Sequence, residues 1–428
     1  MDSKLQGKLQ GEILVSAAGD TVIDADNSIP CEDCASVLTP AGRAAVAVIA
    51  AKGKAALSAI DSAFVAANGH PLGDQVTGRI TFGHWHDEQG HREEVIVCRT
   101  SGATTEVQCH GGPTAVARIT QQLADAGCQI IPWQQWLEQE SADRIAAEAQ
   151  IALANSLTLK TSAVLLQQDG GTLKSEIDFI ASEIAAKNIS EALQRIANLQ
   201  ARIPFGLHLT KPWKVVIAGR PNVGKSSLIN ALLGYQRAIV FDQPGTTRDV
   251  VTATTALDGW PVELIDVAGL RTTQEPLEAA GVELARKSIA TADLVLWVVE
   301  AGSDIEKSVA KESQELLGPA LASPPNNLVP LIVANKIDQL DGTTQATKPE
   351  LPIVATSALT GEGIPVLIEQ IVKRLIPTLP KADEPIPFTL RQVGLLDQLT
   401  EAIQADKLEA AKETCNELTV GCAVRTSS

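Results

Sequence analysis

"GRPNVGKSSLINALLG", residues 219–234, follows the apolar run "KVVIA" and opens onto apolar residues at helical spacing. That order predicts a strand, a glycine-rich loop and a helix. The loop carries Gly219, four residues, then Gly224, Lys225 and Ser226. Such a loop turns backbone N–H groups inward around phosphates, and the helix N-terminus adds positive potential there. Val223 and Ser227 belong to the same wall. Lys225 is placed to reach the β- and γ-phosphates, and the Ser226 hydroxyl to ligate Mg²⁺.

Three further motifs follow in order. "DVAG" puts Asp266 at the end of an apolar strand, where it can hold Mg²⁺ through water, and Gly269 where its N–H can approach a γ-phosphate. "NKID" follows "LIVA"; the Asp338 carboxylate can accept from the ring N–H and exocyclic amine of guanine, with Asn335 and Lys336 bracing the base. "TSA" places Ser357 and Ala358 to close over that base with backbone amides. The nucleotide predicted is GTP rather than ATP, and the activity GTP hydrolysis. Leu270 stands where Ras-like enzymes carry a water-orienting Gln, so another group must supply charge. "FDQPGTTRD", 241–249, offers Thr246 or Thr247 as a switch ligand to Mg²⁺.

The rest of the chain sets the context. It has 428 residues, with a net charge of −16 and 45% hydrophobic content. That reads as two or three soluble domains and argues against a broadly basic DNA- or RNA-binding face. The apolar runs are far short of a bilayer span, and the N-terminus lacks a secretory pattern, so the expected location is the cytoplasm. Seven scattered cysteines fit reduced thiols. "CEDC", 31–34, is a single C-x-x-C with no second pair at metal spacing and reads as part of a loose leader. Three histidines in "HWHDEQGH", 84–91, fit a hairpin surface.

Residues 1–36 read as a polar leader and 37–130 as an N-terminal α+β domain ending in a helix from Pro113. Residues 131–210 and 380–428 read as one helical domain, its apolar stripe at Leu173, Ile177, Ile180 and Ile184. Strand–helix alternation over 211–379 predicts a mostly parallel sheet. The fold expected is therefore an α/β P-loop GTPase domain inserted in a helical domain, with an N-terminal α+β domain.

"GRPNVGKSSLINALLG", "GTTRD", "DVAGLR", "NKID" and "TSALTGEG", together with "LTPAGRAAVAVI" and "VQCHGGP", resemble the tRNA-modification GTPases of the MnmE (TrmE) type. The resemblance runs over about residues 37 to 425. It implies a GTPase of tRNA wobble-uridine modification, stimulated by K⁺ and dimeric. The K⁺ would be held by Asn222 and by the segment from Phe241 to Thr247, with Phe241 and Thr246 contributing, and would do the work of an arginine finger. Glu278 would orient water. Implied partners are a second copy of the chain, tRNA and a flavin-dependent tRNA-modification protein. The family's folate derivative is also implied. Against it stand "PAGRAAV" in place of "PGRGGV" and "WQQWLEQESADR" in place of an arginine-rich stretch. The chain closes on "CAVRTSS" rather than the family's Cys-x-Gly-Lys tail. The alternative expectation is thus a divergent GTPase switch without the modification chemistry.

Overall fold

The computed structural model describes residues 31–87, 89–235, 252–266, 287–303, 329–340 and 353–421. Among these, one compact unit takes Ala152–Gln167 and Ala197–Val393, and the other takes 31–151, Gln168–Ile196 and 394–421.

The second unit begins with β1 (Cys34–Val37) and β2 (Val46–Lys52), followed by a helix over Lys54–Ala63. Then come β3 (Phe64–Ala66), β4 (Ile80–His86), β5 (Arg92–Arg99), β6 (Thr104–His110), a helix over Pro113–Asp125 and β7 (Gln129–Ile130). The strands form one sheet in the order β3-β4-β5-β6-β2-β1-β7. Alternation along β2 sends Ala47, Ile49 and Ala51 to a core shared with Ile60, Ile119 and Leu123 of the two helices. Ala50 faces the other way, toward Cys34, Ile131 and Trp136. Of the polar leader expected over 1–36, residues 1–30 lie outside the described residues and 34–36 are strand instead. Cys34, Ala35 and Ser36 are buried in β1. Their polar neighbours in "CEDC" hide this, because the strand is made by pairing with distant β2 and with β7. The histidine-rich stretch lies on the β4–β5 hairpin, with His91 on Asp87 at 2.9 Å and His84 on Arg92 at 2.7 Å.

In the same unit, the helix Thr172–Ala185 buries Leu173, Ile177, Ile180 and Ile184. It packs on Leu408–Thr419, which buries Ala411, Cys415 and Leu418. The part expected as helical over 380–428 holds two helices, Leu390–Gln404 and Leu408–Thr419, parted where Asp406 turns to φ +58°.

The first unit holds β8 (Trp213–Ala218), a helix over Lys225–Tyr235, β9 (Thr252–Leu257), β10 (Trp260–Asp266), β11 (Leu294–Glu300), β12 (Leu331–Asn335), β13 (Ile353–Ala355) and a helix over Ile364–Leu375. The sheet order is β13-β12-β11-β8-β10-β9. All pairs are parallel except β9 with β10. Val215, Ile217, Leu264, Leu296 and Val333 face one core with Leu228, Leu232, Leu367 and Ile371 of the helices. Val216, Ile265, Val295, Trp297 and Ile332 face another. Burial on both faces is why these strands read as unbroken apolar runs. Each buried Leu or Ile contributes roughly 1.5–3 kcal/mol. This is the mostly parallel sheet that the strand–helix alternation predicts.

Candidate nucleotide site

In a parallel sheet, functional loops gather outside the carboxyl ends of the strands. Here β8 lies between β10 and β11, so the loops after β8, β10, β11 and β12 open side by side. Glycine is required at two points of the loop after β8. At Gly219, φ is +139°, and a Cβ would stand 2.2 Å from the Val298 carbonyl of β11. At Gly224, φ is +95°, and a Cβ would stand 2.3 Å from the Asn335 side-chain nitrogen. Asn222, exposed between them, also takes a left-handed φ of +65°.

Lys225 is buried, and its ammonium donates to the carbonyls of Gly219 at 3.0 Å and Arg220 at 2.6 Å. Ser226 donates its hydroxyl to the Asp266 carboxylate at 3.0 Å. Asp266 ends β10 and is itself 3% exposed. A hydroxyl and a carboxylate at that spacing are hard oxygen donors of the kind Mg²⁺ takes alongside phosphate and water. Among the described residues there is no group of three or more His, Cys, Asp or Glu that could hold a metal ion, so an ion here would need further ligands from its nucleotide.

Asn335, 1% exposed at the end of β12, joins two loops. Its amide nitrogen donates to the Val223 carbonyl at 3.0 Å. Its oxygen accepts from the Ala358 N–H at 3.0 Å and the Thr356 hydroxyl at 3.3 Å. Lys336 turns to φ +68° and pairs with Glu300 at 3.3 Å. Exposed Asp338 accepts the Ser357 hydroxyl at 2.5 Å. Ser357 is fully buried, and its backbone N–H donates to the Glu362 carbonyl at 2.9 Å.

The structure thus brings together Gly219, Asn222, Val223, Gly224, Lys225, Ser226, Ser227 and Asp266 on one side, and Asn335, Lys336, Asp338, Ser357 and Ala358 on the other. Phe241, Thr246, Thr247, Gly269, Leu270 and Glu278 lie outside the described residues. Two contacts escaped the sequence reading. Thr356 is fully buried against Asn335, and Glu300 anchors Lys336. Glu300 closes the apolar run "LVLWVV", the same strand-end signal that marks Asp266.

A family model described as 50S ribosome-binding GTPase matches residues 214–336, from β8 to the "NK" of "NKID". Among solved structures, the G domain of the T. maritima FeoB iron transporter is 29% identical, covering 38% of this chain and 98% of that chain at a TM-score of 0.27. Longer similarities take in both units. The tRNA modification GTPase MnmE of Symbiobacterium thermophilum is 31% identical over 384 residues, 80% of this chain and 82% of its own. That of Koribacter versatilis is 32% identical over 408 residues, 86% of this chain and 87% of its own. Likeness on that scale takes in far more than the phosphate loop and the motifs around it, and by it the chain is a GTPase that belongs to the tRNA modification GTPase MnmE family.

Proposed function

We propose that this GTPase binds GTP with Mg²⁺ between the loops after β8 and β12 and couples its hydrolysis to modification of wobble uridine in tRNA. The observation that carries the reading is the Asn335 tie: one buried amide bonds the phosphate loop at Val223 and the base-side loop at Ala358. It ties the two half-sites together, which supports one nucleotide bound across both. Lys225 would bind the β- and γ-phosphates, and Ser226, Asp266 and Thr247 would hold Mg²⁺. Asp338 would select guanine, held in orientation by Ser357. The Gly269 N–H would meet the γ-phosphate and Glu278 would position water. Asn222, Phe241 and Thr246 would hold K⁺. The two cations, when bound, neutralise charge developing between the phosphates.

In this reading residues 211–379 form the G domain, inserted between the two parts of a helical domain, 131–210 and 380–428. The module at 37–130 pairs two copies of the chain. No helix among the described residues is long and apolar enough to cross a membrane. In this reading the chain acts on tRNA with a flavin-dependent partner. The test is wobble-uridine analysis of tRNA from cells lacking the gene. Loss of the modification, restored by the parent gene and not by Lys225→Ala, is expected. Normal modification in the deletion strain would leave a GTP-driven switch without that chemistry.

A further inference from the structure

The "CEDC" stretch has no part in the nucleotide site, and it is not a loose leader. Cys34 is 1% exposed in β1, against Ala50, Ile131 and Trp136, while Cys31 is only partly buried at the edge of that cluster. The turn between them folds back on itself. The Cys31 thiol donates to the Asp33 carbonyl at 3.0 Å, and the Cys34 thiol lies 3.7 Å from the Cys31 carbonyl. Cys128, buried, stands nearby, just before β7.

We infer that Cys31 and Cys34 form a reversible internal disulfide by exchange with a low-molecular-weight disulfide, Cys31 attacking first and Cys34 resolving. A zinc site is the competing use of such thiols, but no group of three ligating side chains is assembled here among the described residues. In the first step the Cys31 thiolate attacks one sulfur of the small disulfide, forms a mixed disulfide and expels one small thiolate. In the second, Cys34 attacks the Cys31 sulfur as its proton passes to the departing small thiolate. The internal bond forms and the second small thiolate leaves. Two protein thiols are oxidised and one small disulfide is reduced to two thiols.

Exposure sets the order of attack. Burial, then the neighbouring Cys31 thiol acting side chain to side chain, pushes the Cys34 thiol up to about 12. Cys34 is therefore protonated at neutral pH and a poor first attacker, and it is a slow leaving group when the bond is later reduced. The bond would also fix a helix end. Asp33 lies between the two cysteines, and its carboxylate accepts from the Ala55 N–H at 2.7 Å in the first turn of Lys54–Ala63. That helix has no other side-chain cap at Gly53.

The test uses the reduced full-length protein incubated with glutathione disulfide. Thiols are then blocked with N-ethylmaleimide under denaturing conditions, and the peptide containing 31–34 is weighed. The expected product lacks two hydrogens, carries neither glutathione nor maleimide, and reverts with dithiothreitol. Cys34→Ala should instead accumulate glutathione on Cys31. Cys31→Ser should leave Cys34 reduced, and it serves alone if the buried Cys34 variant fails to fold. Glutathione retained on Cys31 of the parent chain, a Cys31–Cys128 bond, or two unreacted thiols would each overturn the inference.

Discussion

Asn335→Ala removes a side chain that bonds both halves of the nucleotide site. Three hydrogen bonds go with it: to the Val223 carbonyl, the Ala358 N–H and the Thr356 hydroxyl. Val223 is 6% exposed and Thr356 0%, so water reaches neither partner readily. A stranded buried polar group costs about 1–3 kcal/mol, and the better-solvated Ala358 N–H costs less. The sum is about 3 kcal/mol, or roughly a hundredfold in an equilibrium constant. Amide hydrogen exchange over residues 353–363 should accelerate by about that factor, and the dissociation constant of a fluorescent GDP analogue should rise by a similar one. Lys336→Ala is the control, since it breaks the more exposed pair with Glu300, worth under about 1 kcal/mol. If Asn335→Ala left both exchange and affinity within a fewfold of the parent, the tie would not hold the site together. Gly224→Ala should weaken the site too, because its Cβ would press on the Asn335 nitrogen at a φ of +95°.

Asp338→Asn should weaken GTP binding by a few kcal/mol through mismatched hydrogen bonds to guanine, and equal affinity of the parent for GTP and ATP would refute that role. GTP turnover should be faster in K⁺ than in Na⁺, while Lys225→Ala abolishes it in either; equal rates in the two salts would remove Asn222 from a cation site. A fragment of residues 205–380 keeps the sheet and its helices, and with GDP and aluminium fluoride it should sediment as a dimer in K⁺ and a monomer in Na⁺. A monomer in both would refute cation-linked pairing. Burial, followed by the nearby Asp178, pushes the Cys415 thiol up to about 12. Its folded value thus lies above the unfolded one, so its contribution is whole below about pH 9 and is lost as pH climbs toward 12. Urea midpoints of the reduced protein should fall over that range, and less steeply in Cys415→Ala; equal slopes would rule out the thiol as the cause.

The strand-end motifs were legible because each marks a break in periodicity: an apolar run, then Gly219, Asp266 or Asn335. The helix stripe at Leu173, Ile177, Ile180 and Ile184 was legible for the same reason. Pairings at a distance were not. Asn335 spends its amide on Val223, over a hundred residues away, and no local spacing records that bond. The strand at Cys34–Val37 exists because β2 and Gln129–Ile130 flank it, so its own acidic neighbourhood pointed to a leader instead. The turn at Asp406 leaves no mark in the pattern, because Ala405 and Leu408 continue the helical composition across it.

The strand order has a consequence for how the protein is made. The phosphate loop follows β8, but β8 pairs with β10 and β11, and the base-side loop waits on β12 and β13. On a translating ribosome Lys225 leaves the exit tunnel long before Ala358 does. At about 5–20 residues per second the interval is on the order of 10 s. Over that time the residues proposed to bind phosphate are made and those proposed to read the base are not. On the proposed roles, nucleotide captured then would lack Asp338, so preference for GTP over ATP would come late, once Asn335 reaches both the Val223 carbonyl and the Ala358 amide and completes the site.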